Sequence, residues 1–149
     1  MENYVEDYMR YLEEIVEPTV KEFEENPTSV RRAFLACVAV FHAVDYLAYQ
    51  KTSKANLRGK LRSQSPDFAI VDKVAHAFKH VVAGDPNNPN LKANEVISRP
   101  GGLSTDGVSF FSVVKGGVVL SNDPNVVVLD TVKRAIDFLR KQAETNNQT

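Results

Sequence analysis

Two of the three histidines in this chain, His76 and His80, lie four residues apart, with Asp72 four before them and Lys79 alongside. Residues four apart stack on one face of a helix, so Asp72, His76 and His80 form a line that Lys79 flanks. An imidazole exchanges protons near neutral pH, and a neighbouring ammonium stabilises the charge that develops in phosphoryl transfer. His80, Lys79 and Asp72 are therefore the candidate catalytic groups for acid–base chemistry on a phosphodiester. The third histidine, His42, stands three residues before Asp45 in a run that is otherwise apolar. If the helices carrying these groups pack with their polar positions together, His42, Asp45, Asp72, His76, Lys79 and His80 form one binding face. Facing helices of a bundle can hold a metal through such side chains, which makes His42, Asp45, Asp72, His76 and His80 candidate ligands for a transition metal. No cofactor motif is evident, because a His pair at this spacing without the glutamate of a zincin is a weak metal signal. The plainer alternative is structural: His42 bonded to Asp45, and the other line solvated.

The elements that must position these groups follow from hydropathy. Tyr4, Tyr8, Tyr11, Leu12, Ile15, Val16 and Phe23 recur at helical spacing over residues 3–25, with Pro18 expected to kink or split the helix near Val16-Glu17. Thr28 or Ser29 suits the N-cap of a second helix reaching about residue 50, apolar nearly all round and so expected at the centre. Residues 51–63 carry Lys51, Lys54, Arg58, Lys60 and Arg62 without an acid and read as a basic connector. Ser65-Pro66-Asp67 opens the helix of the histidine pair, with cap, first-turn proline and dipole-matched acid in order, and Gly84 is the expected stop. Val71, Val74, Ala75, Phe78, Val81 and Val82 should face its core, and Asp72, His76, Lys79 and His80 solvent.

Residues 85–107, rich in proline and glycine, read as loop with a short strand at Val96-Ile97. Two strands, 108–114 and 118–120, are expected around Lys115-Gly116-Gly117. Asn122-Asp123-Pro124 reads as a turn, followed by a short strand at 126–128 and a last helix from about Asp130 to Ala143. The expectation is one mainly α domain over residues 1–149. It is four-helix-bundle-like, with a small antiparallel β-hairpin or meander at about 91–128 between the third and fourth helices, and a frayed tail at 144–149.

The 149 residues, 43% hydrophobic and 25% charged, suit one ordinary core, and a net charge of −1 supplies no global field toward nucleic acid or membrane. The single cysteine, Cys37, makes no internal disulfide and reads as inert packing. The acidic start lacks a signal-peptide pattern, and no apolar run reaches the roughly 18 residues of a membrane span. A cytoplasmic protein is expected. The basic run could hold phosphates, Arg99-Pro100-Gly101-Gly102 reads as turn chemistry, and the Tyr4, Tyr8, Tyr11 stripe as core or dimer contact.

Ala36-x5-His42-x2-Asp45-x-Leu47, then Ser65-Pro66-Asp67-Phe68, then Asp72-x6-Lys79-His80 resemble a group of small uncharacterised bacterial proteins. Those carry an FHxxDWL helix, a CPxF helix start and a DxxNxxKH helix. The resemblance covers about residues 30–83; here Tyr46 stands where the tryptophan would, Ser65 replaces the cysteine and His76 the asparagine. A more distant similarity is to HEPN domains, helical bundles that are often dimeric and include RNA-cleaving toxins and nucleotide binders. Their catalytic arginine, four to six residues before a histidine, is absent; Lys73 holds the six-residue spacing before His80 and lacks the bidentate guanidinium fork. The resemblance implies a HEPN-like binding module for a nucleotide, RNA or protein partner, with homodimerisation in view. The rival expectation is a metal-dependent or acid–base ribonuclease, and a third is a non-catalytic oligomerisation scaffold.

Overall fold

Three serines start three of the helices. Ser29 Oγ accepts from the Arg32 N–H at 3.2 Å, Ser53 Oγ from Asn56 at 3.4 Å and Ser65 Oγ from Phe68 at 3.1 Å, each satisfying a donor that the first turn leaves without an intrahelical partner. In the computed structural model, which describes residues 4–49, 51–104, 112–114 and 116–146, these caps open α3 (Val30–Ala48), α4 (Lys54–Gln64) and α5 (Pro66–His80). Ahead of them run α1 (Tyr4–Tyr11), a π-helical stretch (Leu12–Val16) and α2 (Glu17–Glu25), and α6 (Val128–Asn146) closes the chain. The fold is mainly helical, with small antiparallel sheets between α5 and α6.

Pro18 does not split the first helix. The break expected there is replaced by the π-helical stretch, in which the Glu17 N–H bonds the Leu12 carbonyl five residues back. The widened turn makes room just before the residue that has no N–H to give.

The apolar α3 lies at the centre, as its all-round hydropathy implies. Ala33, Ala36, Cys37, Val40, Ala43 and Val44 are buried, and α1, the π-helical stretch, α2, α5 and α6 close over them through residues such as Tyr8, Leu12, Phe23, Phe68, Val71, Val132 and Leu139. Tyr8 belongs to this core: its hydroxyl donates to the Leu139 carbonyl at 2.8 Å, and burial pushes its phenol pKa up. Tyr11 donates to the Ala39 carbonyl at 2.6 Å. Burial raises the Cys37 thiol to about 12, so it stays protonated and acts as packing.

Residues 51–63 are not a connector. Leu57 and Leu61, four apart, anchor most of that stretch as α4, with Leu61 fully buried. The high charge density hid a short amphipathic helix whose cations are distributed to different places.

The helix α5 ends earlier than Gly84. Its last residue is His80, and Val81 takes the positive backbone angle, φ +70°. The chain turns there because strand β1 (Val82–Asp85) starts at once, and the Val81 carbonyl accepts from Ala93 N–H at 2.8 Å. Gly84 instead sits at a bulge of β1 with φ +87°, where an added Cβ would meet the Asn90 side chain at 2.6 Å.

Most of the region expected as loop is strand. β1 pairs with β2 (Asn88–Lys92), and β3 (Val96–Arg99), which contains the expected strand at Val96-Ile97, follows after a single 3₁₀ turn. β3 pairs with β6 (Gly117–Leu120), while β4 (Gly102–Ser104) pairs with β5 (Ser112–Val114). The partners Arg99↔Gly117 and Gly102↔Val114 keep one antiparallel register, so β4 and β5 extend the β3–β6 ladder across a gap. At that gap a Cβ on Gly116 would lie 2.7 Å from the Gly101 backbone nitrogen, which explains the glycine at 116. The two strands expected to flank Lys115-Gly116-Gly117 thus pair with other partners rather than with each other. Residues 105–111, part of the expected strand at 108–114, lie outside the described residues. β7 (Asp123–Val127) completes a β3-β6-β7 sheet, the turn before it falling at Ser121-Asn122. The β region therefore begins at Val82, earlier than expected, and α6 starts at Val128 and runs to Asn146, into the expected tail.

Candidate functional site

α3 and α5 pack against each other, and α4 lies against both. Between them opens a cleft of about 310 Å³ lined by Val38, Phe41, His42, Arg58, Ala75, His76, Phe78, Lys79 and His80. Four of the six residues expected to share a face are here: His42, His76, Lys79 and His80. Asp45 and Asp72 are not in the lining.

Phe41 is the ring around which the cleft is built. The imidazoles of His42 and His76 each meet it edge-on at 5.2 Å between centroids, with interplanar angles of 72° and 81°. The Arg58 guanidinium sits over the same ring at 5.2 Å, where the negative ring face attracts the cation. His76 and His80 are 6.2 Å apart between centroids, in tilted orientation. Phe78, expected in the core, is 51% exposed and rests on Phe34 at 5.1 Å.

The placement of Asp72 corrects the expected solvated line. Its side chain is 7% exposed, and Arg62 Nη1 donates to Oδ2 at 3.0 Å. The buried face of α5 packs against α3, α6 and α4, so that Phe68, Val71, Asp72, Val74, Ala75 and Ala77 lie inside while Phe78, and Val81 just past the helix end, do not. Asp67 pairs with Arg134 of α6 at 3.0 Å, a second charged link across the same helix.

His76 is held by its own helix. Its Nδ1 donates to the Asp72 carbonyl at 2.8 Å, with Asp72 Oδ1 at 3.4 Å. A carbonyl oxygen only accepts, so Nδ1 carries the proton and Nε2 of the neutral ring is the acceptor. Asp72 thus orients His76 from beneath rather than sharing the cleft with it. His42 Nδ1 lies 3.1 Å from Asp45 Oδ2, while Asp45 Oδ1 takes Lys54 at 3.6 Å.

The cations of residues 51–63 do not form one phosphate-holding strip. Arg58 lines the cleft, Arg62 holds Asp72 and Lys54 pairs with Asp45. Arg99-Pro100-Gly101-Gly102, expected as a turn, instead links two strands: Arg99 ends β3, Gly102 begins β4, and Arg99 Nη1 donates to the Pro124 carbonyl at 3.2 Å, across the sheet. Residue spacing does not mark Phe41 and Arg58 as site residues. The available signals were an aromatic ring adjoining the polar His42 of an apolar helix, and the i,i+4 leucines that make α4 a helix.

Among the described residues, no group of three or more His, Cys, Asp and Glu side chains is gathered as metal ligands would be. His42, Asp45, Asp72, His76 and His80 divide into two pairs and a lone imidazole. Among the described residues, no helix is long and apolar enough to cross a membrane. The chain matches no protein-family model, no curated protein and no solved structure.

Proposed function

We propose that the α3–α5 cleft is the binding site of a HEPN-like helical module and that its ligand is a nucleotide. The observation that carries this reading is the composition of the lining: two phenyl rings, three imidazoles and two cations, with no carboxylate. Flat aromatic groups offer stacking to a base, and Arg58 and Lys79 offer charge-assisted bonds to a phosphate. A cleft of this volume lies at the small end of the range for ligand sites and suits a mononucleotide. Single-stranded RNA repeats the same base-and-phosphate unit and would enter through one exposed nucleotide.

The test is titration of AMP, adenosine and inorganic phosphate, followed through the histidine ring signals by NMR. AMP is expected to move the His42, His76 and His80 resonances saturably, adenosine and phosphate each more weakly, and added salt to reduce the AMP effect. Unmoved histidine signals at millimolar AMP would refute the nucleotide reading.

One observation favours acid–base phosphodiester chemistry as the second reading. The carbonyl bond fixes the His76 tautomer with Nε2 as proton acceptor, and His80 lies one turn away. A general base and a general acid at that separation could act on opposite sides of a scissile phosphodiester. RNA hydrolysis that disappears in both His76→Ala and His80→Ala would support it; hydrolysis surviving in both would dismiss it.

A further inference from the structure

A second pocket, of about 370 Å³, has the opposite chemistry. It is lined by Tyr4, Asp7, Asp45, Tyr46, Tyr49 and Lys54. Three of its six residues are tyrosines, two are acids and one is a cation. Tyr4 meets Tyr49 edge-on at 5.1 Å, and Tyr46 stacks on Tyr11 at 4.3 Å with 17° between the planes. Ring–ring contacts therefore hold the aromatic walls from α1 and the end of α3. Tyr46 and Tyr49 nevertheless remain exposed on their other surfaces.

The charges are unevenly committed. Asp45 is shared between His42 and Lys54 through its two oxygens. Lys54 is therefore already neutralised by a lining acid. Asp7 is exposed and enters no ion pair among the described residues. The pocket keeps an excess negative charge beside aromatic rings.

We propose that this pocket binds an organic cation, a quaternary or alkylated ammonium head. A quaternary head has no N–H to satisfy, so its alkyl surface can be buried on phenol rings, while an alkylated ammonium that keeps an N–H can donate it to Asp7. Its positive charge is attracted by the ring faces and by Asp7. A phosphate would be repelled by the two carboxylates, so this ligand class differs from that of the α3–α5 cleft, and the inference stands independently of the nucleotide reading.

The chain has five tyrosines and no tryptophan. Three of those tyrosines line the pocket, so tyrosine emission reports on it directly. Choline chloride is titrated against 3,3-dimethylbutan-1-ol, its neutral isostere, at constant ionic strength. Choline is expected to give a saturable change, and the neutral alcohol to bind about fivefold or more weakly, the size of effect that one cation–π contact supplies. Tyr49→Ala is expected to weaken choline about fivefold, Tyr49→Phe to keep it within about twofold because the ring remains, and Asp7→Asn to weaken it about threefold. Both positions are exposed, and far-UV circular dichroism of each variant confirms folding. If Tyr49→Ala does not fold, Asp7→Asn and the isostere comparison decide. Equal binding of choline and its isostere overturns the proposal, as does choline binding unchanged in Asp7→Asn.

Discussion

The contact between Arg62 and Asp72 makes an unequal prediction for its two partners. Asp72 is buried with its side chain 7% exposed, whereas the Arg62 side chain is 44% exposed. One carboxylate oxygen accepts from Arg62 at 3.0 Å, and the other has no hydrogen-bond partner among the described residues. Replacing Asp72 by Ala removes a charge-assisted bond of about 1.5–3 kcal/mol, but it also removes the cost of keeping a carboxylate out of water and places a better helix former in α5. Arg62 regains water on its exposed side. The net loss is about 1 kcal/mol. Replacing Arg62 by Ala leaves the carboxylate buried without its partner, a change of roughly 3–5 kcal/mol when fully enclosed. Water entering where the half-exposed guanidinium stood reduces this to about 2 kcal/mol. For a chain of this size that corresponds to a fall in Tm of roughly 4–8 °C. Urea unfolding at pH 7, followed by far-UV circular dichroism, measures both single variants and the double variant. The expected order of stability is wild type, then Asp72→Ala, then Arg62→Ala, with the double variant recovering part of the Arg62→Ala loss. An Arg62→Ala protein at least as stable as Asp72→Ala would refute the reasoning about the buried carboxylate.

Three further outcomes follow from other parts of the fold. Leu61→Ala empties a fully buried position that seats α4 and should cost about 2–5 kcal/mol in urea unfolding; because α4 carries Arg58, it should also weaken AMP binding. Val81 is 69% exposed and holds φ +70°, so Val81→Gly should raise stability by about 1 kcal/mol, the relieved strain exceeding the added chain entropy. Tyr11 has its phenol raised from 10.0 to about 12, first by burial and then by Tyr46 and Asp45. A raised folded pKa stabilises fully below the unfolded value and less as pH climbs through the folded one. Stability should therefore be insensitive to this group up to about pH 9 and decline from pH 10 toward 12, and Tyr11→Phe should flatten that part of the alkaline profile.

Much of the helical scaffold was legible because its signals are local. Ser65-Pro66-Asp67 announces the start of α5 through backbone chemistry that acts within one turn, and the apolar surface of α3 demands a central place wherever the other helices lie. Local composition is ambiguous in three places. Five cations in a dozen residues outweigh the Leu57 and Leu61 pair, so the stretch reads as a connector where the structure has α4. Proline and glycine between residues 85 and 107 read as loop, although in a hairpin arm they mark bulges and close approaches such as Gly84 and Gly116. The α5 wheel places Asp72 with the histidines, yet a wheel does not say how wide the covered arc is; α4, which carries Arg62, widens it past Asp72.

Residue order alone marks which segments can be helical, where several begin, and that the histidines at 76 and 80 occupy one side of a helix. Those properties depend on hydrogen bonds and side-chain spacing within a few residues. Helix packing alone brings His42 to His76 and His80 across Phe41, sets Asp72 beneath them on Arg62, and turns Asp45 into a different pocket. Contacts between α3, α4 and α5 depend on crossing and rotation of whole helices, which are set by packing of many side chains at once and leave no mark in the spacing of any one helix.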